Sequence, residues 1–173
     1  MDKEIIIENF NPNWFIKFNE EKVKIKEILI DKVTSIEHIG STSIEGLGGK
    51  PIIDIAIGVT DLGIVSEFIE PLGNIGYEFV YHKEFPERRF FRKGQWRAGT
   101  HHLHFYQFEG EHWNNQILFR DYLRNNPDTV KKYHQLKIDL AKKFRFDRVS
   151  YTKNKAPFIR SVILTAKKVQ EQL

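Results

Sequence analysis

The sequence predicts an α+β fold, a mixed β-sheet with flanking helices and a helical C-terminal layer. Two observations carry this. Runs rich in Ile, Val, Phe and Tyr, punctuated by Gly, crowd the chain up to Gly110, and beyond it the apolar spacing turns helical throughout. Strands first and helices last is the pattern of a sheet covered by a separate helical layer. A single domain over residues 1–173 is expected, with the sheet at about 1–110 and the C-terminal helices at about 111–173.

Glu4–Glu8 is a β-prone, Ile-rich run. Asn11-Pro12 reads as an N-cap followed by an N1 proline, opening a helix to about Leu29 with Trp14, Phe15, Phe18 and Ile25 among its apolar positions. Val33–Ile39 and Ile52–Val59 read as strands flanking a glycine-rich turn. Asp61 starts a helix that ends near Leu72-Gly73, and Tyr77–Tyr81 is a further strand. Arg88–Arg92 is expected to turn at Lys93-Gly94 and pair antiparallel with His101–Phe108. Helices are expected at Trp113–Arg124, from Pro127 to about Phe144, and from Tyr151 to about Gln170.

Composition narrows the function classes. The chain has no cysteine, which excludes disulfides and thiolate chemistry and leaves His and carboxylate as metal ligands. A net charge of +4 is too small for a dedicated DNA-binding surface, so nucleic acid is not the expected partner. The weaker nucleic-acid reading rests on Arg88–Arg97 with Phe90, Phe91 and Trp96. The start Met1-Asp-Lys-Glu4 lacks a signal peptide's basic and apolar segments, and no long apolar run suggests a membrane span. A cytoplasmic protein is expected.

The densest signal is the stretch from His38 to Val59, centred on Gly40-Ser41-Thr42 and followed by Lys50-Pro-Ile-Ile-Asp54. A Gly-Ser turn offers backbone N–H groups and hydroxyls to an anion, and glycine permits close approach. Asp54, alone on an apolar strand, could hold the divalent cation that accompanies a polyphosphate. His38 lies two residues before Gly40 and could reach the same pocket.

Cations interrupt the apolar stripes of the C-terminal helices. Arg120 shares a face with Ile117 and Leu123, Lys137 falls among Tyr133, Leu136 and Leu140, and the stripe through Phe158 and Ile159 extends back to Lys155 and Tyr151. One such cation is commonly a snorkelling stem. Three, one per helix, point to an anionic ligand in a cleft between sheet and helices, because buried charges need partners. In His101-His102-Leu103-His104, strand alternation puts His102 and His104 on one face. The pair could share a metal with Asp54 if the strands are neighbours, and imidazole suits Zn, Mn or Fe better than Mg.

Together these residues resemble the GrpB family, a group related in fold to the nucleotidyltransferases. The match is carried by His38-Ile-Gly-Ser-Thr-Ser43 with Lys50–Asp54, by Arg88-Arg89-Phe90-Phe91, by His101–His104 with Phe119–Arg124, and by Tyr133–Lys137 with Tyr151–Lys155. Similar domains occur fused behind dephospho-coenzyme A kinase in some bacteria. The resemblance implies a nucleotidyltransferase-like sheet in which Gly40 and Ser41 keep a phosphate turn and Asp54 keeps one of the catalytic acids. The partner acid is missing, its place taken by apolar Ile52 or Ala56, and imidazoles of His102 and His104 stand where a third acid is expected. Arg88 and Arg89 would clamp a polyphosphate. The expected ligand is therefore a nucleotide or another phosphorylated small molecule with a divalent cation (Mg, Mn or Zn). The alternative is an inactive anion-binding or protein accessory module.

Overall fold

The computed structural model describes residues 3–95 and 98–172. Its centre is a five-stranded sheet of β1 (Ser35–Ile39), β2 (Ile53–Val59), β3 (Tyr77–Val80), β4 (Arg89–Gln95) and β5 (Ala98–Gln107), in spatial order β1-β2-β5-β4-β3. β2 and β5 run parallel and every other neighbouring pair is antiparallel, so the sheet is mixed. Asp54 stands beside His102 and Ala56 beside His104 in the parallel ladder.

Strand alternation divides the sheet into two faces. One carries Ile53, Ile55, Ile57, Leu103, Phe105 and Phe91. It packs against Trp14, Phe18, Ile25 and Leu29 of helix α1 (Asn13–Leu29), and all of these are buried. Complete burial of a side chain such as Ile55 or Ile57 contributes about 1.5–3 kcal/mol, so this face anchors the fold. The other face presents Ile39, Asp54, Ala56, His102, His104 and Tyr106, with Trp113 packed on Ile39, Ala56 and Tyr106.

A short helix α2 (Ile69–Gly73) precedes β3, and α3 (Glu111–Arg124), α4 (Pro127–Lys143) and α5 (Arg148–Glu171) form the C-terminal layer. Phe119, Leu123, Val130, Tyr133 and Val162 from these helices enclose Ile44 and Leu47 of the glycine-rich loop. Both loop residues have no exposure, and that burial pins the loop against the helices.

Several expected elements differ. Glu4–Glu8 is not a sheet strand: only Glu8 pairs, with Gly49, while Ile5 N–H donates to the Arg145 carbonyl and its side chain joins Leu140, Ala141 and Tyr151. The segment thus straps the loop to the C-terminal layer. The first helix starts one residue later than expected, with Asn11 Oδ1 accepting from the Asn13 N–H. Most of the helix expected after Asp61 is a 3₁₀ segment, Leu62–Phe68, whose apolar residues Leu62, Val65 and Phe68 recur every third position and so share one face of a three-residue turn. The hairpin does not turn at Lys93-Gly94. The ladder shifts register there, with Gly94 at φ 99°, and continues to Gln95 and Ala98. Trp96 and Arg97, part of the nucleic-acid reading, lie outside the described residues. α5 begins at Arg148, capped by Asp147, whose carboxylate accepts from the Ser150 N–H.

Candidate functional site

A cavity of about 190 Å³ opens between the glycine-rich loop, the start of β2, β5 and the last two helices. Ser41, Gly49, Lys50 and Ile52 line it from the loop, Asp54 and His102 from the sheet, and Lys137, Tyr151 and Lys155 from α4 and α5. Gly40 adjoins it. At φ 72° its backbone suits glycine, and a Cβ there would lie 2.8 Å from Asp54 Oδ2.

Lys137 is 1% exposed and donates from Nζ to Ser41 Oγ at 2.8 Å and to the Gly48 carbonyl. Its Nζ lies over the Tyr133 ring, 5.0 Å from the centroid. Lys50 and Lys155 lie over the Tyr151 ring at 5.3 and 4.6 Å. Among the described residues, no carboxylate lies within ion-pair distance of Lys137 or Lys155. Burial, together with repulsion from Lys155 and Lys50, lowers the Lys137 ammonium to about 7. Burial and Lys50 lower Lys155 to about 8. Close packing helps hold Lys137 in place: a Cβ on Gly49 would meet Ser41 Cβ at 2.8 Å and Lys137 Nζ at 3.3 Å.

Beside the lysines, Asp54 Oδ1 accepts from His104 Nε2 at 2.9 Å and lies 3.3 Å from His102 Nδ1. Burial opposes the carboxylate's charge. Hydrogen bonds from His102 and His104 outweigh it and hold Asp54 well below the usual carboxylate range. The ligand atoms of the three residues lie within 4.8 Å of one another, a cluster able to coordinate a metal ion. Behind it, Arg88 donates to His82 Nδ1 at 2.9 Å and approaches His104 Nδ1 at 3.5 Å, over the rings of Phe85 and Phe90.

The structure gathers Gly40, Ser41, Lys50, Asp54, His102, Lys137, Tyr151 and Lys155 around the cavity, with His104 and Arg88 behind. It separates the other candidates from it. Arg120 does have carboxylate partners: it donates to Glu37 at 2.6 Å, to Asp121 at 2.8 Å and to the His38 carbonyl. It pins α3 to β1, and its inward position is explained without a ligand. His38 sits on the opposite sheet face from Asp54, stacked on Phe18 at 4.6 Å. There its Nε2 donates to Thr42 Oγ1, which in turn donates to the Ile52 carbonyl, so Thr42 is engaged inside the loop. Burial and the nearby Arg124 lower His38 to about 4. Arg89 projects to the other side of β4 and donates to the Pro86 and Arg88 carbonyls. Sequence reading missed Glu37, Gly48, Gly49 and His82. Only the two glycines carried a local signal, by lying inside the loop motif.

A groove of about 780 Å³ between α3 and α5 is larger, but among the described residues its wall carries one cation, Lys167. It is separate from the Asp54 cluster.

The arrangement defines the class: a nucleotidyltransferase-like α+β fold. Poly(U) polymerase Cid1, in a structure bound to MgATP, superposes with a TM-score of 0.51 at 13% identity, over 79% of this chain and 43% of that one. That likeness concerns the fold. The family follows from closer matches, the description "GrpB protein" covering residues 4–164. Glutamate-rich protein GrpB of Alkalihalophilus pseudofirmus is 37% identical over 92% of this chain and 94% of its own. The crystal structure of GrpB from Enterococcus faecalis superposes with a TM-score of 0.87 at 35% identity, over 95% and 99% of the two chains. This chain belongs to the GrpB family.

Proposed function

We propose that the chain binds a nucleotide, or another small molecule, through its phosphate groups in the lysine-lined cavity. The observation that carries this is Lys137, a buried ammonium fixed on the Ser41 hydroxyl, with no carboxylate at ion-pair distance among the described residues. A buried charge of this kind is costly until an anion joins it. Lys50 and Lys155 add charge to the same wall.

Size selects what enters. With about 30 Å³ per water, 190 Å³ corresponds to roughly six waters, enough for a phosphate or diphosphate head. Drug-sized ligands occupy pockets of about 300–1,000 Å³, so the rest of the ligand would extend outside. Asp54, His102 and His104 would hold a divalent cation beside the phosphates. When bound, the cation would polarise a phosphoryl oxygen for transfer. Ser41 and the lysines would orient and neutralise the phosphates, with Lys50 and Lys155 both held against the Tyr151 ring.

The second reading is a module that binds without turnover. The observation favouring it is that Ile52 and Ala56, which flank Asp54 at alternate positions of the chain, carry no carboxylate. Isothermal titration with pyrophosphate and nucleoside triphosphates tests binding. Saturable binding that Lys137→Met removes supports the pocket, and equal affinity in that variant overturns it. Pyrophosphate release from a bound triphosphate, lost in Asp54→Asn, separates transfer from binding alone.

A further inference from the structure

The donor set beside the cavity disagrees with the magnesium of the bound nucleotide in the Cid1 structure. Magnesium demands oxygen ligands in near-octahedral geometry and is usually held by carboxylates, waters and phosphates. Here Asp54 supplies one carboxylate. The alternate positions on either side of it, Ile52 and Ala56, supply no side-chain donor. The space beside Ala56 is taken by its register partner His104, which reaches back to Asp54. His102, the register partner of Asp54 itself, brings a second ring nitrogen.

These rings are held by their surroundings. His104 lies parallel to the Tyr106 ring at 6.4 Å, and Phe90 meets His102 edge-on at 5.0 Å. β2 and β5 are interior strands of the sheet, so the ligand spacing is set by the ladder rather than by a loop. Two imidazoles and one carboxylate on rigid neighbouring strands suit an ion that accepts nitrogen.

We propose that Asp54, His102 and His104 form a site for one nitrogen-accepting first-row transition ion, of the zinc or cobalt type, that discriminates against magnesium. This deepens the functional reading above by naming the cation class. It rests on that reading only for what the ion would act on.

Arg88 sets the strength of the site. An imidazole that ligates through Nε2 carries its proton on Nδ1 and seeks an acceptor for it. His104 Nδ1 instead faces Arg88, whose guanidinium has only donors to offer. Coordination at His104 therefore requires Arg88 to withdraw to His82, its shorter partner. Removing the guanidinium tightens the site, the opposite of what loss of a merely structural contact would do.

The test uses the full chain, stripped with a chelator and dialysed separately against zinc, cobalt and magnesium, with bound metal measured by elemental analysis. The expected result is one equivalent of zinc or cobalt, bound at least about a hundredfold more tightly than magnesium. Cobalt should give visible absorption bands. His102→Ala and His104→Ala, checked for folding by circular dichroism, should each lose the ion, and Arg88→Leu should tighten it by about tenfold. Magnesium bound as tightly as zinc overturns the proposal. So does zinc retained by the folded double variant of His102 and His104, or a folded wild-type chain that binds no ion. Phosphate affinity measured in the metal-free protein reads the lysine pocket separately, so failure of one reading is told from failure of the other.

Discussion

Lys137 Nζ lies 2.8 Å from Ser41 Oγ, joining residues 96 positions apart in the chain. The contact places a helical lysine on the glycine-serine turn and closes one side of the cavity. Because Lys137 is buried with no carboxylate beside it among the described residues, its charge is available to an anion but costs stability in the free protein. Lys137→Met, similar in shape, should lower pyrophosphate affinity at least about tenfold while leaving the chain as stable as wild type or about 1 kcal/mol more stable. Calorimetric titration and chemical denaturation check both parts.

Anion binding should weaken as pH rises. Lys137 and Lys155, lowered to about 7 and about 8, are both charged below pH 7 and lose their protons through the window from 7 to above 8. A bound phosphate favours the charged forms, so binding near pH 8 should draw protons from solution. Titrations in buffers of different ionisation heat measure that uptake. Affinity independent of pH between 6 and about 9 would contradict the assignment of these lysines.

His38 should make stability fall on the acid side. Its folded value of about 4 lies below the ordinary 6.5, so the unfolded chain binds the proton first as pH drops. The native state thus loses stability between about pH 6.5 and 4, and the loss levels off below 4. The shift corresponds to about 3 kcal/mol, at 1.36 kcal/mol for each unit. His38→Gln should be less stable at pH 7 yet show a shallower decline, read by urea denaturation across this range.

Gly40→Ala should cost about 1–3 kcal/mol, because φ 72° is poorly accessible to alanine. The new methyl group would also press on Asp54 Oδ2, so metal affinity should fall with stability. Wild-type ion binding in this variant would show that Asp54 is not positioned by the turn.

Arg120→Leu should separate folding from binding. It leaves Glu37 and Asp121 without their guanidinium partner and should destabilise by about 1–3 kcal/mol. At a temperature where the variant remains folded, its pyrophosphate affinity should match wild type. A large loss there would return Arg120 to the ligand site.

Much of this architecture was legible in the sequence because it follows from local geometry. Period-two alternation put His102 and His104 on one face of β5, and helical spacing put Lys137 and Tyr133 on one face of α4. The Gly40-Ser41 turn and the single carboxylate of Asp54 were visible as residues. What only the tertiary structure decided was which cation meets which partner. Arg120 and Lys137 look alike as inward cations, yet Arg120 finds Glu37, 83 positions away, while Lys137 finds a hydroxyl and a carbonyl. His38 and Asp54 are close in the motif, but antiparallel register pairs Asp54 with Ile39 and sends His38 to the opposite face. Backbone periodicity sets faces within an element, whereas the pairing of charges depends on register and packing between elements distant in sequence.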